Sequence, residues 1–236
     1  MQSVFFLGNG KADGTRDMKT VLGGKGANLA EMTNLGVPVP PGLTISCACC
    51  VAYLREGRAP EGLVADVNAQ LARVQEAAGR VLGDPKNPLL VSVRSGAPVS
   101  MPGMMETILN LGLNDRSVLG LAQQSGSPRF AYDSYRRFIQ MYGDVVLGVP
   151  IHDFEHLLRA KRIVAGVKTD AELDEAALRN LVEEYKGIVR KATGADFPMD
   201  PHQQLWGAIE AVWKSWTLKK AVDYRRVNGI SESLGT

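Results

Sequence analysis

Two cations stand out in the 236-residue sequence because each sits beside glycine in a stretch that reads as a loop. Lys25 lies in "LGGKGANLAEM" and Arg94 in "VSVRSGAPVSMPGMMETI". Glycines ahead of a helix let the backbone approach an anion closely and leave amide hydrogens free to point at it. A lysine there adds a compact charge, while arginine stays ionised and presents a planar fork suited to phosphate oxygens. After Arg94, residues Ser95, Gly96, Ser100, Gly103 and Thr107 supply hydroxyls and accessible amides. The pattern suits a phosphate cradle. It is not a P-loop, which needs a glycine five residues before the Gly-Lys pair and Ser or Thr after it. Those positions hold Lys19 and Gly26. Taken alone, the first stretch reads rather as a glycine turn with a surface lysine. The methionines at 101, 104 and 105 suit core filling or an apolar flap that closes on a nucleotide and excludes water.

Other residues that could do chemistry read as structural. "HDFEH" at 152–156 matches H-x-x-E-H and puts His152 and His156 one helical turn apart. A metalloprotease would also need a third ligand and a cleft, so two exposed histidines near a helix start are expected, and no metal ligand is assigned. The three cysteines, Cys47, Cys49 and Cys50, crowd into "CACC", which is neither a disulfide framework nor a zinc site. Free thiols in a reducing cytoplasm are the expectation. "SYRRFIQMY" has the aromatic and basic neighbours of an RNA-stacking surface, but Phe130, Phe138, Met141 and Val145 fit a buried helical face better. The tryptophans at 206, 213 and 216 read as a packing stripe.

The bulk numbers narrow the class. A formal charge of +2 excludes bulk attraction to nucleic acid or an anionic membrane. No apolar run nears the ~20 residues that cross a bilayer, and the N-terminus makes a poor signal peptide. A cytoplasmic protein with neither nucleic-acid nor membrane partner is expected.

The elements that must position Lys25 and Arg94 follow from periodicity. "SVFFLG" reads as a strand. Leu29, Met32 and Leu35 recur at helical spacing before a stop at Gly36. "VPVPPGLTIS" is extended, and Ser46 is a candidate cap for a helix over "CACCVAYLREG". A long helix around 61–82 places Leu63, Val67, Leu71, Val74, Ala78 and Val81 on one face. "PLLVSV" reads as a buried strand with "TILNLGL" as its hairpin partner. Beyond about 114 strand signals vanish, and helices are expected at 115–125, 129–146, 153–165, 174–192, 202–215 and 217–228. The last residues, "NGISESLGT", read as a loop about to enter a further element.

At this point the residues resemble a known family. "GGKGANLAEMTNLGVPVPPGLTIS", "LLVSVRSGAPVSMPGMMETILNLGLND" and "PRFAYDSYRRFIQMYGDVV" closely resemble the amino-terminal region of the pyruvate, phosphate dikinase family. The resemblance extends through "YRRVNGISESLGT". Related phosphoenolpyruvate synthases share the Gly-Lys turn and the "VRS" arginine but follow it with an acidic loop, so "SMPGMM" favours the dikinase.

The resemblance implies an α+β fold: the first half of an ATP-grasp-like nucleotide-binding domain with a large helical insertion. It divides the chain into a mixed subdomain over 1–113, a helical insertion over 114–200, and helices over 201–236 that return to the first subdomain. It implies an enzyme that passes a phosphoryl group from ATP to a carrier histidine and interconverts pyruvate and phosphoenolpyruvate, releasing AMP. Lys25 and Arg94 are implied nucleotide-phosphate ligands, with Arg94 catalytic. Gly96, Ser100, Met101, Gly103 and Thr107 belong to the flap over the phosphates. ATP with Mg²⁺ is the implied cofactor, its metal ligands lying outside this chain. The implied partners are ATP or AMP, the second half of the grasp, a phosphohistidine domain and a pyruvate barrel, in a homo-oligomeric full-length enzyme. The isolated chain, an expressed fragment or a shortened product, is expected to be inactive. The alternatives are a phosphoenolpyruvate synthase-like fragment and a non-catalytic nucleotide-binding or interaction module. One departure stands out. Pro98 and Val99 replace the basic residue that family members commonly carry before Ser-Met, so one loop cation is lost.

Overall fold

The computed structural model describes residues 2–236 and has an α+β architecture divided into two compact units. The first comprises 1–80, 94–107 and 210–236; the second comprises 81–93 and 108–209.

The first unit is built on β1 (Val4–Gly8), which runs between β2 (Lys11–Ala12) and β3 (Gly42–Ile45), antiparallel to both. The register pairs Leu7 with Ala12 on one side and Val4 with Ile45 on the other. Every residue of β1 is buried because both faces of this central strand are covered. Successive side chains point to opposite faces. Phe5 packs against Leu22, Ala27 and Ala30 of α1 (Lys19–Asn34). Phe6 lies 4.1 Å beneath the guanidinium of Arg73, on α3 (Leu63–Ala78). Arg73 is tied in turn to Asp13, whose carboxylate accepts the Phe6 amide at 2.9 Å. Between them in sequence, α2 (Cys47–Glu56) ends on the left-handed Gly57.

The helix expected from the spacing of Leu29, Met32 and Leu35 is α1, which leaves those three exposed and buries Leu22, Gly26, Ala27, Ala30 and Thr33. Close approach decides this: a Cβ on Gly26 would stand 2.8 Å from a methyl of Thr44, so only the small-residue face fits against β3. Helix α3 buries Leu63, Val67, Leu71 and Val74, but stops at a left-handed Gly79, leaving Val81 exposed beyond it. Ser46 does precede α2 with extended backbone, yet its hydroxyl pairs with the Cys49 thiol at 3.3 Å instead of capping an amide.

In the second unit, β4 (Val81–Leu82) pairs in parallel with β5 (Pro88–Leu89). Strand β6 (Val91–Arg94) pairs with β7 (Thr107–Leu111). "PLLVSV" is therefore two short strands, and in β6 half-buried and exposed residues alternate. A two-stranded ribbon lacks the neighbours that would bury both faces. Helices follow: α4 (Ser117–Ser125), α5 (Pro128–Val145), α6 (Ile151–Ala165), α7 (Glu175–Thr193) and the start of α8 (Pro201–Ser215), whose residues from 210 on belong to the first unit. Helix α5 packs on α4, α6 and α7. Its core is aromatic: Phe138, Tyr142 and Phe197 meet with ring centroids 5.5–5.7 Å apart, and Phe154 meets Tyr185 edge-on at 4.9 Å. Phe130 is corrected to an exposed residue, since the buried stripe of α5 starts at Ala131. Arg136 is buried and held by Asp133 at 2.6 Å. The last helix, α9 (Lys219–Val227), belongs to the first unit. None of these helices is long and apolar enough to cross a membrane.

Candidate functional site

The glycine turn before Lys25 breaks α1 in two at Gly23, so it does lie ahead of the helical stretch that carries Lys25. Gly23 adopts φ 68° and ψ 173°, a conformation essentially reserved for glycine. The break presses the turn against the loop after Arg94. A Cβ on Gly23 would fall on the Gly96 carbonyl oxygen, and the Gly24 amide donates to the Ala97 carbonyl at 3.0 Å. Two stretches far apart in sequence are thus in backbone contact. Lys25 emerges exposed just past this contact, and Arg94 emerges exposed just before it, at the end of β6. No described residue pairs with either head group. Two amides of the region point inward: Gly24 donates to Ala97, and Gly96 donates to the Thr236 hydroxyl at 3.0 Å.

Along the loop, Ser95 and Met101 are buried, Gly96 and Thr107 half-buried, and Ser100 and Gly103 exposed. Met101 packs against Trp216 and Ala221, with Met104 and Met105 against the same cluster. The methionines are therefore the loop's footing on the protein. Ser215 accepts the Glu106 amide at 3.3 Å, and Lys220 pairs with the Glu106 carboxylate, fixing the loop's far end. Beneath Trp216 lies Arg225, 4% exposed, with its guanidinium 4.1 Å from the ring centroid and 2.7 Å from the Trp216 carbonyl. Burial lowers its pKa, with Glu232 opposing. Sequence reasoning missed this platform and Thr236. Trp216 carries only a packing signal, and nothing local marks a threonine that bonds a residue 140 positions away.

The remaining candidates are inert. All three cysteines are free and buried. Burial pushes Cys47 and Cys50 up to about 11, in Cys50 against a backbone hydrogen bond from Thr236. They are poor nucleophiles at neutral pH. A shallow groove of about 340 Å³ borders Cys47, Val51, Arg55 and Leu234, but neither Lys25 nor Arg94 lines it. His152 and His156 are exposed, and His152 pairs with its neighbour Asp153 at 3.1 Å. Among the described residues no group of three or more His, Cys, Asp or Glu side chains could hold a metal ion. The chemistry available at the two loops is therefore cationic.

Comparison with known proteins bears on what these cations would hold. A family model described as "Pyruvate phosphate dikinase, AMP/ATP-binding domain" matches residues 19–75 and 60–235. The chain is 52% identical over 234 residues to the pyruvate, phosphate dikinase of Rhizobium meliloti (strain 1021), covering 99% of this chain and 26% of that protein. It is 52% identical over 234 residues to the chloroplastic pyruvate, phosphate dikinase 1 of Arabidopsis thaliana, at 99% and 24%. Against pyruvate, phosphate dikinase 2 of Zea mays it is 51% identical over 236 residues, at 100% and 27%. The chain thus spans about a quarter of the length of these relatives.

Proposed function

Because the chain belongs to the pyruvate phosphate dikinase AMP/ATP-binding domain family, we propose that it is the ATP-phosphate-binding portion of a pyruvate, phosphate dikinase. The observation that supports this reading is the backbone contact of Gly23 and Gly24 with Gly96 and Ala97, one residue before the exposed Lys25 and two residues after the exposed Arg94. Lys25 and Arg94 draw charge from the β- and γ-phosphates. Their attraction for the polyanion rises as water is excluded. Arg94 holds two phosphate oxygens with its fork, and Lys25 acts as a point charge. In-line transfer of a phosphoryl group needs this neutralisation and positioning. The acceptor, a carrier histidine, and the carboxylates for Mg²⁺ belong to the rest of the full-length enzyme, whose overall reaction interconverts pyruvate and phosphoenolpyruvate. Residues 1–113 then act as the first half of an ATP-grasp-like domain and 114–200 as its helical insertion, in a cytoplasmic, homo-oligomeric enzyme.

Calorimetric titration of the purified chain with ATP tests the site. Binding is expected to weaken about tenfold or more in Arg94→Ala, and also in Lys25→Ala, as loss of a charge-assisted contact worth ~1.5–3 kcal/mol requires. Variants that bind ATP as the parent does would remove both residues from the site. A coupled AMP-forming assay tests the other half of the reading: turnover by the chain alone would overturn it.

A further inference from the structure

We propose that Thr236 is a positioning residue of the phosphate loop, a role that rests on the nucleotide reading of Lys25 and Arg94. The Gly96 peptide is gripped from both ends. Its carbonyl lies against Gly23, where a side chain would collide with it. Its amide donates to the Thr236 hydroxyl at 3.0 Å. The next carbonyl, of Ala97, accepts from Gly24 at 3.0 Å. Thr236 therefore closes a clamp whose other jaw is the glycine break beside Lys25.

Thr236 is itself firmly placed. It is 6% exposed. Gly235 lets it reach this spot: a Cβ there would stand 2.6 Å from the Cys47 carbonyl and 2.9 Å from a Val51 methyl. The buried first turn of α2 is thus the anvil on which Gly235 and Thr236 rest. A hydroxyl fixed there sets where Gly96 sits, and Arg94 leaves the backbone two residues earlier. Without the hydroxyl, the Gly96 amide loses its acceptor and the loop is free to drift from the glycine break. Removing an acceptor from a part-buried donor costs more than the bond's net worth, because the donor is left dry.

Three substitutions separate this role from general support. Thr236→Val keeps shape and removes the hydroxyl, Thr236→Ser restores it, and Cys50→Ala trims a side chain beside Gly235 while leaving the Thr236 hydroxyl in place. Amide exchange by NMR is read first. In the parent chain the Gly96 amide is expected to be protected. Its exchange should speed up about tenfold in Thr236→Val and return in Thr236→Ser. ATP affinity, by the same calorimetry, should fall about five- to tenfold in Thr236→Val, recover in Thr236→Ser, and change less in Cys50→Ala. A Gly96 amide that exchanges freely in the parent overturns the proposal without any variant. So does faster exchange in Thr236→Val with ATP affinity unchanged, or an affinity loss that serine does not restore. Failure of Arg94→Ala to weaken ATP binding would instead remove the nucleotide reading, while the exchange measurement still decides whether Thr236 holds Gly96.

Discussion

Neighbouring glycines in α1 should respond in opposite ways to the same methyl group. Gly23→Ala forces φ 68°, ψ 173° on a residue with a side chain, and it drives that side chain into the Gly96 carbonyl. A residue held in that region costs about 1–3 kcal/mol. The obstacle is backbone, so it yields only if the loop moves. Movement breaks the bond from Gly24 to Ala97, worth about 1 kcal/mol net. The expected loss is about 2–4 kcal/mol. At a urea dependence of about 2 kcal/mol per molar, the midpoint falls by about 1–2 M. At Gly24, a Cβ would meet the Ala97 and Pro98 carbonyl oxygens at 3.5 Å, ordinary contact. Gly24→Ala should therefore be neutral, or stabilising by up to about 1 kcal/mol through the unfolded chain. Urea unfolding at neutral pH, followed by circular dichroism and tryptophan fluorescence, reads both. Gly23→Ala with an unshifted midpoint, or Gly24→Ala as damaging as Gly23→Ala, would refute the close approach on which the site is built.

Asp13 gives a pH dependence. Burial pushes its carboxyl up, but the Arg73 hydrogen bond and the Phe6 amide prevail and hold it below the ordinary value of 3.8. Its stabilisation is therefore present above the unfolded value and lost as pH falls through the lower folded one. Asp13→Asn should cost about 1 kcal/mol at neutral pH, since Arg73 is partly exposed, and progressively less as pH falls below the ordinary carboxylate value; a cost that does not shrink with falling pH would refute the pairing. The cysteine thiols, at about 11 for Cys47 and Cys50, should react with a thiol reagent at neutral pH about a hundredfold more slowly in the folded chain than in urea; equal rates would contradict their burial. Phe154→Ala should lower stability by about 3–5 kcal/mol in urea unfolding, because the ring is fully buried against Tyr185; a cost below about 1 kcal/mol would contradict that packing.

Much of the helical architecture was legible because its signals are local. Helices α4 to α9 lie within a few residues of where periodicity and the prolines at 150, 198 and 201 put them. Facing was less legible. The rule that large apolar residues point inward works for α3, with Leu63, Val67, Leu71 and Val74. It fails for α1, where Gly26, Ala27 and Ala30 are buried because the helix lies too close to Thr44 for anything larger. The glycines before Lys25 announced a special backbone and a likeness to an anion-binding turn. They did not announce that the first of them would be filled by another peptide's carbonyl. Hydroxyls near Arg94 were easy to suspect from composition. The hydroxyl that reaches Gly96 was not, since its partner is chosen by tertiary contact alone.

The division of the chain into interleaved segments has a kinetic consequence. The helical unit is complete once residue 209 is made, whereas the mixed unit still awaits 210–236, which carry Trp216, Ala221 and Thr236. A ribosome adding about 5–20 residues per second releases them seconds later. In the interval the nascent strand β1 and its helices exist without the surface on which the methionine loop will settle, so the loop's apolar residues are the part of the young polypeptide most in need of shelter from aggregation.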